Sequence, residues 1–77
     1  MWIIYTRPGC HLCEDAVAWI DDLAAEYHAQ VQLINILDDS AAYALYRWAI
    51  PVLRIGDAIW EAPLNEQTVR EALAAHD

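Results

Sequence analysis

Along this chain the spacing of apolar residues switches between short unbroken runs and recurrences of three and four, and each switch marks a change of element. Trp2-Ile3-Ile4-Tyr5-Thr6 is a run of β-branched and aromatic residues stopped by Pro8-Gly9, and it reads as a strand buried on both faces. From Cys10 the recurrence becomes helical. Cys13, Ala16, Val17, Ile20, Leu23, Ala24 and Tyr27 fall on one face of a helix running to about His28. Glu14, Asp15, Asp21, Asp22 and Glu26 lie elsewhere on it, while Leu12 and Trp19 share one margin of the apolar face.

Residues 31–37 form a second apolar run of strand length, so a right-handed crossover makes the first two strands parallel neighbours. Asp38-Asp39-Ser40 offers caps for a second helix over residues 41 to about 48, with Leu45 and either Ala42 or Ala49 inward. Ile50-Pro51 stops it. Val52-Leu53-Arg54-Ile55 and Ala58-Ile59-Trp60-Glu61 flank Gly56-Asp57, which predicts a hairpin with a II′-type turn. Asn65 caps a third helix over residues 66–75, with Val69 and Leu73 inward. The order is β-α-β-α-β-β-α, without repeat or linker, and residues 1–77 read as one domain.

Composition narrows the partners. The chain is 58 % hydrophobic, too apolar for disorder, yet no stretch is long enough to span a bilayer. Its net charge is −8, with twelve acids against four arginines and no lysine. Such a balance repels nucleic acid and anionic membrane, so neither is an expected partner. The chain opens directly on a strand rather than on an export signal, which places it by default in a reducing cytoplasm, as a monomer. In that compartment a cysteine pair is more often catalytic or metal-binding than a staple.

Cys10 and Cys13 are the only cysteines, and they fall about one turn apart at the start of the first helix. Unpaired N–H groups and the positive end of the helix dipole favour a thiolate there, and Cys-x-x-Cys spacing is a context that lowers thiol pKa. Arg7, together with His11 when protonated, supports the anion; Glu14 and Asp15 oppose it. The pair reads as a dithiol redox site. The competing readings are a metal or iron–sulfur module built on the same thiols, and a redox-silent interaction domain. Zinc needs four ligands, and His11, His28 and His76 have the wrong spacing to complete a set, so no metal is expected. Among the tryptophans, Trp2, Trp48 and Trp60 are expected to meet the core, while Trp19 with Leu12 is a candidate patch for docking a protein.

Element order, the Cys-x-x-Cys at the head of the first helix and the Ile50-Pro51-Val52 opening of the third strand together resemble the thioredoxin superfamily, and its glutaredoxin-like branch most closely. The segment Arg7-Pro8-Gly9-Cys10-His11-Leu12-Cys13 is similar to the site of a group of short glutaredoxin-like proteins. The resemblance implies an α/β fold with a four-stranded mixed sheet and helices on both faces. It implies Cys10 as the exposed attacking thiol and Cys13 as the partly buried resolving thiol. Ile50-Pro51 would be a cis peptide facing them, presenting main-chain groups to a peptide or to glutathione, and Arg7 would help hold a glutathione carboxylate. His11 joins the substrate-facing set. The implied activity is thiol–disulfide exchange on a protein disulfide or a glutathione mixed disulfide, with no tightly bound cofactor and glutathione as candidate co-substrate. One departure argues against efficient glutathione use. Where glutaredoxins carry a Gly-Gly-x-x-Asp-like stretch, residues 60–66 have no glycine, and Glu61 and Glu66 stand near the place of an anionic ligand.

Overall fold

The computed structural model describes residues 1–75. Its elements are β1 (Trp2–Thr6), α1 (His11–Glu26), β2 (Val31–Asn35), a 3-10 turn (Ile36–Asp38), α2 (Ser40–Tyr46), β3 (Val52–Ile55), β4 (Ala58–Trp60) and α3 (Glu66–Ala75). The sheet order is β2-β1-β3-β4. β1 and β2 run parallel with Trp2 opposite Val31 and Thr6 opposite Asn35, whereas β3 runs antiparallel to both β1 and β4. This is the α/β fold with a four-stranded mixed sheet that the family resemblance implied.

Alternation along β1 divides the interior in two. Trp2 and Ile4 face one side and pack with Ala16, Ile20, Leu23 and Ala24 of α1, Leu53 of β3 and Val69 of α3. Tyr5 faces the other side and packs with Ile36, Ala42 and Val52, with Ile3 beside them. A strand apolar from Trp2 to Tyr5 on both faces is what a central strand between two helix layers requires. α1 and α3 cover one face, α2 the other. The tilted rings of Tyr5 and Tyr46, with centroids 4.7 Å apart, join α2 to the sheet.

Helix ends follow local chemistry. The Asp39 side chain accepts from the N–H of Ala42 at 3.0 Å and caps α2, and the Asn65 side chain accepts from the N–H of Thr68 at 3.1 Å and caps α3. At the far end of α1, the N–H of Ala29 bonds to the carbonyl of Ala24 and that of His28 to Ala25, closing a Schellman motif with His28 in the left-handed region at φ 54. Gly56 takes φ 59 between the paired Ile55 and Ala58, as a II′ turn demands.

Several expectations are corrected. β2 stops at Asn35, because the Asn35 side chain accepts from the N–H of Leu37 and turns the chain into the 3-10 segment. α2 spans residues 40–46 rather than 41–48, and its inward register is Ala42 and Tyr46, so Leu45 points outward at 70 % exposure. Trp48, expected at the core, is 89 % exposed: it follows the end of α2, where Arg47 lies over its ring at 5.6 Å and over Tyr43 at 5.8 Å. Trp19 packs against the core, which leaves Leu12 exposed on its own. Tyr27 is half-covered, its ring 6.2 Å from that of Trp2. A second cis proline, Ala62-Pro63, was not anticipated.

Candidate active site

β1 ends at Thr6, and the four residues after it turn the chain into α1. Gly9 makes the turn at φ 78, a region an L side chain enters only with strain. Cys10 follows in an extended conformation, φ −95 and ψ 104, and becomes the N-cap of α1 rather than its first helical residue. Its Sγ accepts a hydrogen bond from the backbone N–H of Cys13 at 3.1 Å. A sulfur therefore stands where a Ser or Asp oxygen usually satisfies one of the free donors at a helix start.

Cys13 lies one turn on and is 2 % exposed, whereas Cys10 is half-buried. The two Sγ atoms are in bonding contact, with Cα atoms 5.2 Å apart, inside the span a disulfide needs. The pair can thus close to a disulfide and reopen without moving the backbone far. This close pair fits a redox role.

The other expected site residues divide into two groups. Arg7 is exposed and lines a groove of about 460 Å³ together with Cys10 and Cys13. His11 does not line that groove: its side chain is 94 % exposed, with Nδ1 3.5 Å from Oε2 of Glu14. Ile50-Pro51 is cis, with Ile50 half-buried and Pro51 fully buried. Pro51 leads straight into β3, whose Val52 pairs with Tyr5, so the cis bond sits at the same end of the sheet as the loop that carries Cys10. The N–H of Ala62 donates to the carbonyl of Ala49 at 2.9 Å and ties the segment after β4 to the approach to Pro51.

Of the two acids expected near a glutathione ligand, Glu66 is already engaged. Its Oε2 accepts from Nε of Arg70 at 2.8 Å, whereas Glu61 is exposed just after β4. Among the described residues no three of His, Cys, Asp and Glu are grouped as a metal ion would require; His76 lies outside the described residues. Nor is any described helix long and apolar enough to cross a membrane.

Sequence reading missed the rest of the groove. Thr6, Val17, Leu33 and Asn35 complete its walls, and they come together only through the parallel register that sets Thr6 opposite Asn35 and Ile4 opposite Leu33. The spacing of β2 residues alone carries no such register.

Comparison with known proteins agrees with this geometry. The sequence matches the family described as Glutaredoxin-like domain (DUF836) over residues 2–74. The X-ray structure of target protein XcR50 from X. campestris is similar at 30 % identity and a TM-score of 0.76, over 97 % of each chain. The solution structure of Ne2328 from Nitrosomonas europaea is similar at 26 % identity and a TM-score of 0.74, covering 92 % of this chain and 87 % of that one. No curated protein matches. With the family match spanning nearly all of its length, and with a Cys-x-x-Cys pair capping the first helix of this sheet, the chain belongs to the glutaredoxin-like domain family.

Proposed function

We propose that the protein is a thiol–disulfide oxidoreductase in which Cys10 attacks and Cys13 resolves. The observation that carries this reading is the placement of the Cys10 Sγ at the N-cap of α1, hydrogen-bonded to the Cys13 N–H, with the Cys13 sulfur in contact one turn away. A donor N–H and the positive end of a sixteen-residue helix both favour the sulfur anion, which is the nucleophile.

In the reducing direction the Cys10 thiolate attacks one sulfur of a substrate disulfide, forming a mixed disulfide and expelling the other sulfur as a thiolate that takes a proton from water. Cys13 then gives up its proton to solvent and attacks the Cys10 Sγ. The Cys10–Cys13 bond forms, and the second substrate sulfur leaves reduced. Two electrons have passed from the protein to the substrate, and two thiols of the surroundings restore them by the reverse exchange, ending joined as a disulfide of their own. The different exposure of the two sulfurs supports this division of roles, since only Cys10 is open to an incoming disulfide. Ile50 and Pro51, at the same end of the sheet, would present main-chain groups to the substrate. Arg7 would meet a carboxylate near the sulfurs. His11, turned towards Glu14, has the weakest claim of the set.

The substrate is a protein disulfide or a glutathione mixed disulfide, and the exposed Glu61 favours the former. The test is covalent trapping. Cys13→Ser should hold a substrate on Cys10 as a stable mixed disulfide, Cys10→Ser should lose all turnover, and iodoacetamide should label Cys10 before Cys13 in the reduced protein. First labelling at Cys13 would reverse the roles, and full turnover in Cys10→Ser would end the redox reading.

A further inference from the structure

The candidate dithiol has two flanks. On the β3 side lies Ile50-Pro51. On the β2 side the groove of about 460 Å³ opens between the first turns of α1 and the end of β2, and no residue of the cis-proline loop lines it. Cys10 and Cys13 are both among its lining residues, so a group joined to Cys10 lies beside it.

The chemistry of this groove is apolar with a polar mouth. Val17 and Leu33 form its apolar side; Arg7, Glu14 and Asn35 supply its polar groups. Leu33 is 57 % exposed although it belongs to a strand, so the groove leaves an apolar side chain open to water beside the cysteines. The strand that carries it has an open edge: β2 pairs only with β1 in the described sheet. Its five residues, Val31-Gln32-Leu33-Ile34-Asn35, include neither charge nor proline, the devices with which natural sheets discourage pairing at an edge.

Resting on the redox reading above, we propose that this groove selects the substrate: it takes a large apolar side chain within one or two residues of the reacting cysteine in a polypeptide disulfide. Continuity with the sulfurs argues for a group covalently tied to the substrate cysteine. The apolar lining and open strand edge argue for an extended peptide rather than glutathione, which has no apolar side chain to offer. Leu33 is then a specificity residue, and the cis-proline flank a separate contact.

The experiment measures kcat/KM of the reduced protein, with dithiothreitol as electron source, on four disulfides. They are bis(2-hydroxyethyl) disulfide, oxidised glutathione, and two synthetic peptides whose cysteine carries a 2-mercaptoethanol disulfide and is followed by Phe in one and by Gly in the other. Burying most of one aromatic side chain predicts a preference of roughly tenfold for the Phe peptide. Leu33→Asp, on an exposed edge position, should bring the Phe-to-Gly ratio near unity, and Leu33→Met should keep it. A ratio within twofold in the unaltered protein, a ratio unchanged by Leu33→Asp, or faster reduction of oxidised glutathione than of the Phe peptide would overturn the proposal. So would a dimer at assay concentration that Leu33→Asp dissociates, since a second copy would then be the occupant. Failure to reduce even bis(2-hydroxyethyl) disulfide would overturn the redox reading with it, whereas reduction of that disulfide with a flat peptide ratio would refute the groove alone.

Discussion

His28 carries the reversal that ends α1 in a conformation suited to glycine. At φ 54 its Cβ crowds the following carbonyl, yet the N–H groups of His28 and Ala29 close the helix end onto Ala25 and Ala24. Replacing it by glycine keeps those hydrogen bonds and removes the crowding. His28→Gly is therefore expected to stabilise the protein by about 0.5–1 kcal/mol, read as a higher urea midpoint at unchanged slope. Single residues were also where sequence reading was most and least successful. The closeness of Cys10 and Cys13 was legible from their spacing at a helix start, and the cis bond at Pro51 only from the family resemblance. Leu45 and Trp48 were not: a seven-residue helix shifts its inward face with a displacement of a single residue, and the aromatic expected inside was Trp48 where Tyr46 took the place.

Among the elements, α1 and α3 are joined by a charged clasp. Nη1 and Nη2 of Arg70 donate to the two carboxylate oxygens of Glu26 at 3.1 and 2.8 Å, while its Nε donates to Glu66. The Arg70 hydrogen bonds, with a smaller contribution from its charge, outweigh desolvation and hold the Glu26 carboxyl below its ordinary value; the Arg70 guanidinium is correspondingly raised. For a carboxyl depressed in the folded state, the stabilisation is complete above the ordinary glutamate value and drains away as pH falls through the folded one. Glu26→Gln should thus lower the urea midpoint at neutral pH, and the gap between the two proteins should close as pH drops below 4.5. A midpoint profile for Glu26→Gln that parallels the original would remove the clasp from the account. The gain is modest because both side chains are partly in water. The order of elements was readable from periodicity and caps, since Asp39 and Asn65 sit where capping residues belong. The pairing of Glu26 with Arg70, distant in sequence, depends on how α3 lies against α1, which no local pattern encodes.

At the scale of the whole molecule, the dominant fact is a charge of −8 on 77 residues. Acids on α1, on the 3-10 turn and on α3 repel one another through a solvent that screens them only beyond about 8 Å at physiological salt. Raising ionic strength from a dilute buffer to that level should raise the urea midpoint, because the relief of repulsion acts on many carboxylates and the loss of attraction on one clasp. A midpoint that falls with salt would mean that the Arg70 ion pairs outweigh the surplus acids. This fold was legible from the chain because each layer is written in its own period. The groove beside the cysteines was not, because its walls come from three elements whose register only the folded sheet sets.

The bare indole of Trp48 has a practical consequence. Trp2 is buried, and Trp19 and Trp60 pack against the interior, so a quencher dissolved in water meets the ring at position 48 first. A molecule settling beside residues 49–51 would shade that ring, and the protein's own ultraviolet emission would then register occupancy without a label.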